Sequence, residues 1–160
     1  MRTKKEIKIR TAILKDLNDI LNLSSKLISY DYALDRTIDV TWPNSLGGIS
    51  YFKTQIMAAD GLVLVAESDS KIVGFLVGEF VAPLSYRKVQ HLAELSEIFV
   101  LEEFRGLGIG AMLIKEFLTW CKEKGAERIR VEVSAGNESA IKLYKKLGFY
   151  AFDIILEMKS

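Results

Sequence analysis

The sequence predicts a mixed α/β fold of the α+β kind, antiparallel in its N-terminal half and with a parallel pair of strands in the centre. Two apolar runs separated by a short polar turn, within residues 62–81, are typical of a β-hairpin. A strand pattern, an amphipathic helix and another strand pattern follow between residues 92 and 133. Because a helical connection joins parallel strands, we expect these two strands to be parallel neighbours with a right-handed crossover.

Length, charge and residue counts exclude several classes of protein. The 160 residues, 49% of them hydrophobic, suit one globular domain over residues 1–160. A net charge of +1 gives no overall field that would attract nucleic acid or an acidic membrane. Cys121 and His91 are the single cysteine and the single histidine, so we expect neither a disulfide nor a metal site. Without a signal peptide or a membrane-length apolar run, a cytoplasmic protein is expected.

The N-terminal third is predicted as one strand followed by two helices. Residues 7–12 alternate apolar and basic side chains, which is the period of a half-buried strand. Residues 15–28 carry leucine and isoleucine at spacings of three and four, which favours a helix with one apolar stripe. Residues 30–48 break that pattern and are expected to be irregular, and residues 50–59 suit a second, short helix.

The central part is predicted as three strands, a helix and a fourth strand. The hairpin consists of residues 62–67 and 72–81, and residues 92–100 continue it as an antiparallel strand. Residues 108–124 form a helix with its apolar side chains on one face, and residues 129–133 alternate again as a strand.

The last part is predicted as a helix followed by one or two strands. Asn137 suits the N-cap of a helix over residues 137–147, and Gly148 suits its termination. Residues 149–158 are expected to close the sheet. The complete prediction is a sheet of about six to seven strands with about four helices.

A glycine-rich loop is the strongest local signal for function. Gly106, Gly108 and Gly110 stand at alternate positions between a predicted strand and a predicted helix. Glycine allows backbone N–H groups to turn inward, and a helix N-terminus adds unpaired N–H groups and the positive end of its dipole. The loop therefore predicts an anion site, with phosphate as the expected ligand group.

Two familiar nucleotide motifs fit this loop poorly. A P-loop requires Gly-Lys-Ser/Thr after the glycines, and that sequence is missing. A dinucleotide fingerprint is matched by Gly106, Gly108 and Ala111, with Glu132 about twenty residues further on. Five residues, 101–105, nevertheless separate the strand from the first glycine, where that fingerprint has almost none.

A second motif lies some forty residues after the loop, and the two together resemble a known family. The loop reads R-x-x-G-x-G from Arg105, and the second motif reads N-x-x-A-x-x-L-Y-x-x-x-G-F from Asn137 to Phe149. Both occur in the order and at the separation of the GNAT superfamily of acyl-CoA-dependent N-acyltransferases. The order of elements is similar to the fold of that family over nearly the whole chain.

The resemblance implies acetyl-CoA as co-substrate, since acetyl is the commonest acyl group in the family. It also implies a set of residues that contact the coenzyme, by backbone or by side chain. These are Ile98, Phe99, Val100, Arg105, Gly106, Leu107, Gly108, Ile109, Gly110, Ala111, Asn137 and Tyr144.

The resemblance further assigns the catalytic steps. A backbone N–H near Ile98 stabilises the thioester oxyanion, the pantetheine arm pairs with the main chain near Val100, and Tyr144 protonates the departing thiolate. For the base, Glu94, Glu97 and a water relay stay open. Strict alternation places the two glutamates on opposite faces of their strand, and a β-bulge would change that.

The resemblance places the amine acceptor at residues 28–50 and 83–91. An acidic, aromatic group there could bind a cationic amine or could equally consist of solvated loop residues. Its members are Tyr30, Asp31, Tyr32, Asp35, Asp39 and Trp42. The acceptor, a small molecule or a peptide or protein amine, and the oligomeric state, with a homodimer as one option, stay open. The alternative function is a non-catalytic acyl-CoA-binding sensor or scaffold, which would need the loop but not Tyr144.

Overall fold

The computed structural model describes residues 6–160 of the chain. Its regular elements alternate much as the sequence predicts. They are β1 (Ile7–Thr11), α1 (Leu17–Tyr32), α2 (Leu46–Met57), β2 (Gly61–Ser68), β3 (Lys71–Val81), β4 (Leu92–Val100), α3 (Ile109–Glu123), β5 (Arg128–Val131) and α4 (Glu138–Lys146). Short 3-10 turns occupy Leu14–Asp16, Trp42–Asn44 and Glu102–Phe104.

The strands form one mixed sheet in the order β1-β2-β3-β4-β5. The first three pairings are antiparallel, and β4 and β5 are parallel. This arrangement confirms the predicted fold class, including the parallel pair joined through a helix.

The helices cover both faces of the sheet and enclose its core. Phe52 of α2 packs edge-on against Phe75 of β3, with ring centroids 6.3 Å apart. Phe117 of α3 lies directly over Gly78 of the same strand. Because residues three apart in a strand point to opposite faces, α2 and α3 lie on opposite sides of the sheet. Phe52, Phe75 and Phe117 are all fully buried.

The predicted number of strands was too high. The described residues contain five strands, and residues 149–158, predicted as one or two more, form none. The side chains of residues 150–158 are exposed instead, Leu156 to 89%, whereas Phe149 packs against Tyr144. The alternation of the sequence is present, but a strand forms only against a hydrogen-bonding partner, and this segment pairs with no strand of the described chain. The strand predicted over residues 129–133 also ends earlier, since β5 ends at Val131.

Strand β4 contains a β-bulge. Gly78 of β3 pairs with Leu95 and Val77 pairs with Glu97, so Ser96 is an extra residue without an opposite partner. The pairing of β4 with β5 ends at Leu95, one residue earlier. The C-terminal half of β4 therefore keeps β3 as a neighbour but has a gap on its other side.

Gly48 provides a test of how closely α2 packs on the turn before it. A Cβ at Gly48 would lie 2.2 Å from the carbonyl oxygen of Trp42, whereas at Gly47 the nearest atom would be Ser45 Oγ at 3.7 Å. We expect Gly48→Ala to lower the free energy of unfolding by about 1–3 kcal/mol because backbone must move. Gly47→Ala, the matched control, should leave stability unchanged or raise it slightly. Urea denaturation measures both, and equal stability of the two variants would contradict the packing.

Candidate active site

The glycine loop presents a continuous row of unpaired backbone donors. Gly106 and Gly108 adopt positive φ angles of 74° and 79°, and Gly108 is the N-cap of α3. The first N–H of this region to find an acceptor is that of Met112, which donates to the Gly108 carbonyl at 3.0 Å. In the described part of the chain, the N–H groups of residues 106–111 donate to nothing. Such a row at a helix N-terminus fits a diphosphate.

Arg105 braces the loop against β4. Its Nε donates to the Val100 carbonyl at 2.9 Å, and its guanidinium lies 5.2 Å from the centre of the Phe99 ring. The ring of Tyr30, near the end of α1, has its centre 6.0 Å from the same guanidinium. These contacts link the loop to β4 and α1.

The gap beside β4 exposes two backbone amides. Leu101 N donates to Val73 O of β3 at 2.9 Å. Because N–H groups alternate in direction along a strand, those of Ile98 and Val100 point away from β3. On that side β4 has already left β5, so both amides face the gap. They lie where the family resemblance requires an oxyanion donor and a pantetheine contact.

The bulge brings the two candidate bases to one face of the sheet. Val77 and Glu79 share a face of β3, and their partners on β4 are Glu97 and Glu94. Strict alternation would place Glu94 and Glu97 on opposite faces, and the bulge changes this, as expected from the sequence.

The environments of Glu94 and Glu97 differ strongly. Arg130 of β5 forms an ion pair with Glu94, its Nε donating to Oε2 at 2.6 Å. Glu97 instead accepts a hydrogen bond from Ser24 Oγ of α1 at 2.8 Å. Burial raises the pKa of Glu97 to about 7, against the opposing effect of Ser24, and the Asp31 carboxylate raises it further. A pKa of about 7 would let Glu97 exchange a proton near neutral pH.

Tyr144 lies on α4 with its ring buried against Phe149, at a centroid distance of 5.7 Å. Burial, and to a lesser degree the Asp31 carboxylate, raises its pKa to about 12, which keeps the phenol protonated. Its hydroxyl has no hydrogen-bond partner within residues 6–160. Asn137 caps the same helix, its side chain accepting from Ala140 N at 3.3 Å.

The acidic and aromatic residues of the predicted acceptor region have different environments. Asp35 and Asp39 are exposed. Each carboxylate accepts hydrogen bonds from the backbone N–H and the hydroxyl of the threonine two residues further along the chain. Trp42 is partly buried and packs against Tyr51 and the hydrophobic core. Asp31 is half-buried. Its carboxylate raises the pKa of both Glu97 and Tyr144, so it is the acidic residue of this group that lies near the site.

A second polar network on the same face was missed in the sequence. The Glu79 carboxylate accepts from Tyr51 OH at 2.8 Å, from Gln55 Nε2 at 2.9 Å and from Ser96 Oγ at 2.6 Å. Three donors fix this carboxylate between α2 and the bulge. The available signal was that Glu79 is the single charged residue in the apolar run 72–81.

Comparison with known proteins agrees with the motifs. A family model described as the acetyltransferase (GNAT) family matches residues 30–149. An uncharacterized N-acetyltransferase of Methanocaldococcus jannaschii is 31% identical over 151 residues, 92% of this chain, and the chain spans 62% of that relative's length. An N-alpha-acetyltransferase of Sulfurisphaera tokodaii is 29% identical over 150 residues, 91% of this chain and 81% of the relative.

Solved structures show the same fold. The aminoglycoside N-acetyltransferase AAC(6')-Iy in complex with CoA superposes with a TM-score of 0.78 at 19% identity, covering 100% of this chain and 98% of that one. In the described chain, no helix is both long and apolar enough to cross a membrane. Residues 6–160 also contain no group of three or more His, Cys, Asp or Glu side chains that could hold a metal ion.

The hydrogen bond from Ser24 provides a direct test of the environment of Glu97. Because this bond stabilises the charged carboxylate, Ser24→Ala should raise the pKa of Glu97 above its value of about 7. Carboxyl ¹³C NMR titration measures it, with the Glu97 signal assigned by its loss in Glu97→Gln. Ser29→Ala, which removes a hydroxyl that donates only to the Ser25 carbonyl, is the control and should not shift it. An unchanged or lowered pKa in Ser24→Ala would contradict the observed contact.

Proposed function

The chain belongs to the GNAT acetyltransferase family, and we propose that it transfers the acetyl group of acetyl-CoA directly to a primary amine. The observation that carries this proposal is the convergence of three features at the gap beside β4. They are the row of free N–H groups at residues 106–111, the outward amides of Ile98 and Val100, and the partly buried carboxyl of Glu97. In that order, these features serve as the anchor for the coenzyme, the oxyanion donor and the base that the transfer needs.

Backbone groups hold the coenzyme in this proposal. The N–H groups of residues 106–111 bind its diphosphate, assisted by the dipole of α3. The main chain of Val100 pairs with the pantetheine arm, with Phe99 beside it. Asn137 and Tyr144 contact the coenzyme from α4. Leu107, Ile109 and Ala111 contribute main chain, so their side chains do not decide binding.

The transfer is then a proton-coupled exchange of an amine for a thiol. The ammonium group of the acceptor gives one proton to Glu97, and its nitrogen attacks the thioester carbonyl carbon. The Ile98 N–H donates to the oxygen as negative charge develops. When the C–S bond breaks, the Tyr144 hydroxyl protonates the thiolate, and the second amine proton restores the phenol. The products are the acetylated amine, the free CoA thiol and one proton released from Glu97 to solvent.

The assignment of the base to Glu97 rather than Glu94 rests on their partners. Glu94 is held in an ion pair by Arg130 of β5. Glu97 has no cationic partner among the described residues, and a pKa of about 7 lets it cycle at neutral pH. Glu94 then serves to fix Arg130 and β5 at the edge of the gap.

The acceptor is proposed to be a cationic amine, because Asp31 adds a second negative charge next to Glu97. Two similar proteins indicate which amines to test first. One similar protein is an N-alpha-acetyltransferase, and another is an aminoglycoside N-acetyltransferase. Peptide N-termini and small polyamines or aminosugars are therefore the first acceptors to test.

Release of free CoA thiol tests the proposed function against a binding-only module. Wild type with acetyl-CoA and an amine panel should release thiol, and Tyr144→Phe should lower that rate by about 10² or more while CoA still binds. Gly108→Glu should abolish CoA binding, because it places a negative charge in the anion cradle and a side chain at a positive φ. Calorimetry measures the binding. CoA binding without thiol release for any acceptor would favour the sensor or scaffold.

The pH dependence of the rate tests the base. Glu97 must be deprotonated to accept a proton, so kcat/KM should rise with pH through about 7 and then level. Glu97→Gln should remove this rise and lower kcat/KM by about 10²–10⁴ with CoA affinity unchanged. Glu94→Gln, the matched comparison, should keep the rise. The reverse result, with the rise lost only in Glu94→Gln, would exclude Glu97 as the base.

A further inference from the structure

The bulge in β4 is held by a side chain of the neighbouring strand. Ser96, the extra residue of the bulge, has no opposite partner in the ladder with β3. Its hydroxyl instead donates to Glu79 Oε1 of β3 at 2.6 Å. A hydrogen bond to a carboxylate is stronger than one between neutral groups. This contact therefore ties the irregular position of β4 to a fixed point of the sheet.

The Glu79 carboxylate is in turn anchored to α2. Tyr51 OH and Gln55 Nε2 donate to it at 2.8 and 2.9 Å, and their spacing of four residues places both donors on one face of the helix. The Tyr51 ring packs edge-on against Phe52 at a centroid distance of 5.2 Å, and Phe52 is fully buried. Glu79 thus connects the bulge to a helix that is packed into the core.

The apolar pattern does not specify the register of β4 beyond the bulge. Residues 98–100 are isoleucine, phenylalanine and valine, and all three are half-buried. A shift by one residue exchanges one apolar side chain for another, so it meets little of the penalty that normally fixes a register. The polar side chains of Ser96 and Glu97 do distinguish the two registers, through their bonds to Glu79 and Ser24.

This register decides which groups face the gap beside β4. In the observed register, the N–H groups of residues 99 and 101 point to β3, and those of Ile98 and Val100 point to the gap. Without the bulge, each residue after position 96 would move by one place and turn to the other face and edge. The N–H groups of Ile98 and Val100 would then bond to β3, and Glu97 would point to the face covered by α3.

We propose that Glu79 is a positioning residue for the transfer reaction. By holding Ser96 in the bulge, it directs the Glu97 carboxyl toward α1 and the Ile98 N–H toward the gap. Glu79 acts through Ser96 because it lies two residues along β3 from Val77, the partner of Glu97, a separation of about 7 Å. The catalytic part of this inference rests on the proposed function, whereas the hold on the bulge does not.

Amide hydrogen exchange followed by NMR tests the hold on the bulge without any need for activity. In wild type, the amides of residues 99 and 101 should exchange slowly and those of residues 98 and 100 fast. Ser96→Ala removes the donor to Glu79 and should abolish this contrast. Ser96→Thr keeps a hydroxyl and should preserve it. Glu79→Ala removes the acceptor and should act as Ser96→Ala does.

Gln55→Ala is the matched control for the exchange measurement. It removes one donor from the same carboxylate but leaves the bond from Ser96 in place, so the contrast between alternate amides should persist. Circular dichroism verifies that each variant folds. A contrast that persists in Ser96→Ala, or that is lost equally in Gln55→Ala, would overturn the proposal.

Steady-state kinetics test the effect on catalysis. Ser96→Ala should lower kcat by about 10²-fold, as expected when a catalytic group is misplaced by about 1 Å, and Ser96→Thr should recover most of it. CoA should bind within about tenfold of wild type, because residues 106–111 lie outside the network and only the Val100 amide is lost.

The two measurements separate failure of this inference from failure of the proposed function. An altered exchange pattern with unchanged kcat would overturn the positioning role of Glu79. If wild type released no thiol with any amine, the proposed function would fail together with the catalytic part of this inference. The exchange contrast in Ser96→Ala would still decide whether Glu79 holds the bulge.

Discussion

The site depends on the point at which β4 leaves β5. Pairing between these parallel strands ends at Leu95, and the bulge at Ser96 follows immediately. Had the ladder continued, the amides of Ile98 and Val100 would be bonded to β5 and unavailable to a ligand. A bulge increases local twist and redirects side chains, which is why it belongs at such a divergence. One irregularity therefore frees the backbone donors and turns Glu97 toward α1.

Three glutamates on one face of the sheet have different properties because their partners differ. Glu79 is held by three neutral donors, and Glu94 by the charge of Arg130. Glu97 has one hydroxyl donor and is near the like charge of Asp31. Burial and a like charge both raise the pKa of Glu97. In the proposed reaction the fold therefore makes Glu97 the base without any difference in residue type.

The parts of this structure that could be predicted from the sequence are those set by local pattern. The glycine loop, the cap at Asn137 and the apolar run of β3 depend on neighbouring residues, and all are present as expected. The Ser96 bulge could only be expected as an option, because it arises from register with β3. The contacts from Ser24 to Glu97 and from Tyr51 to Glu79 join residues far apart in the chain, which periodicity does not encode. Residues 149–158 show the same limit, since their alternation predicts a strand but they pair with no strand among the described residues.

The two halves of the site are built from different parts of the polypeptide. In the proposed function, the coenzyme side consists of main-chain N–H groups at residues 106–111 and in β4, which any sequence with the same backbone supplies. The proposed acceptor side consists of side chains contributed by α1, α2 and the bulge, including Ser24, Asp31 and Tyr51. Substitution can change these without disturbing the sheet. A shared fold therefore implies a shared coenzyme far more strongly than a shared acceptor, and the identity of the amine must be sought in the side chains of α1 and α2.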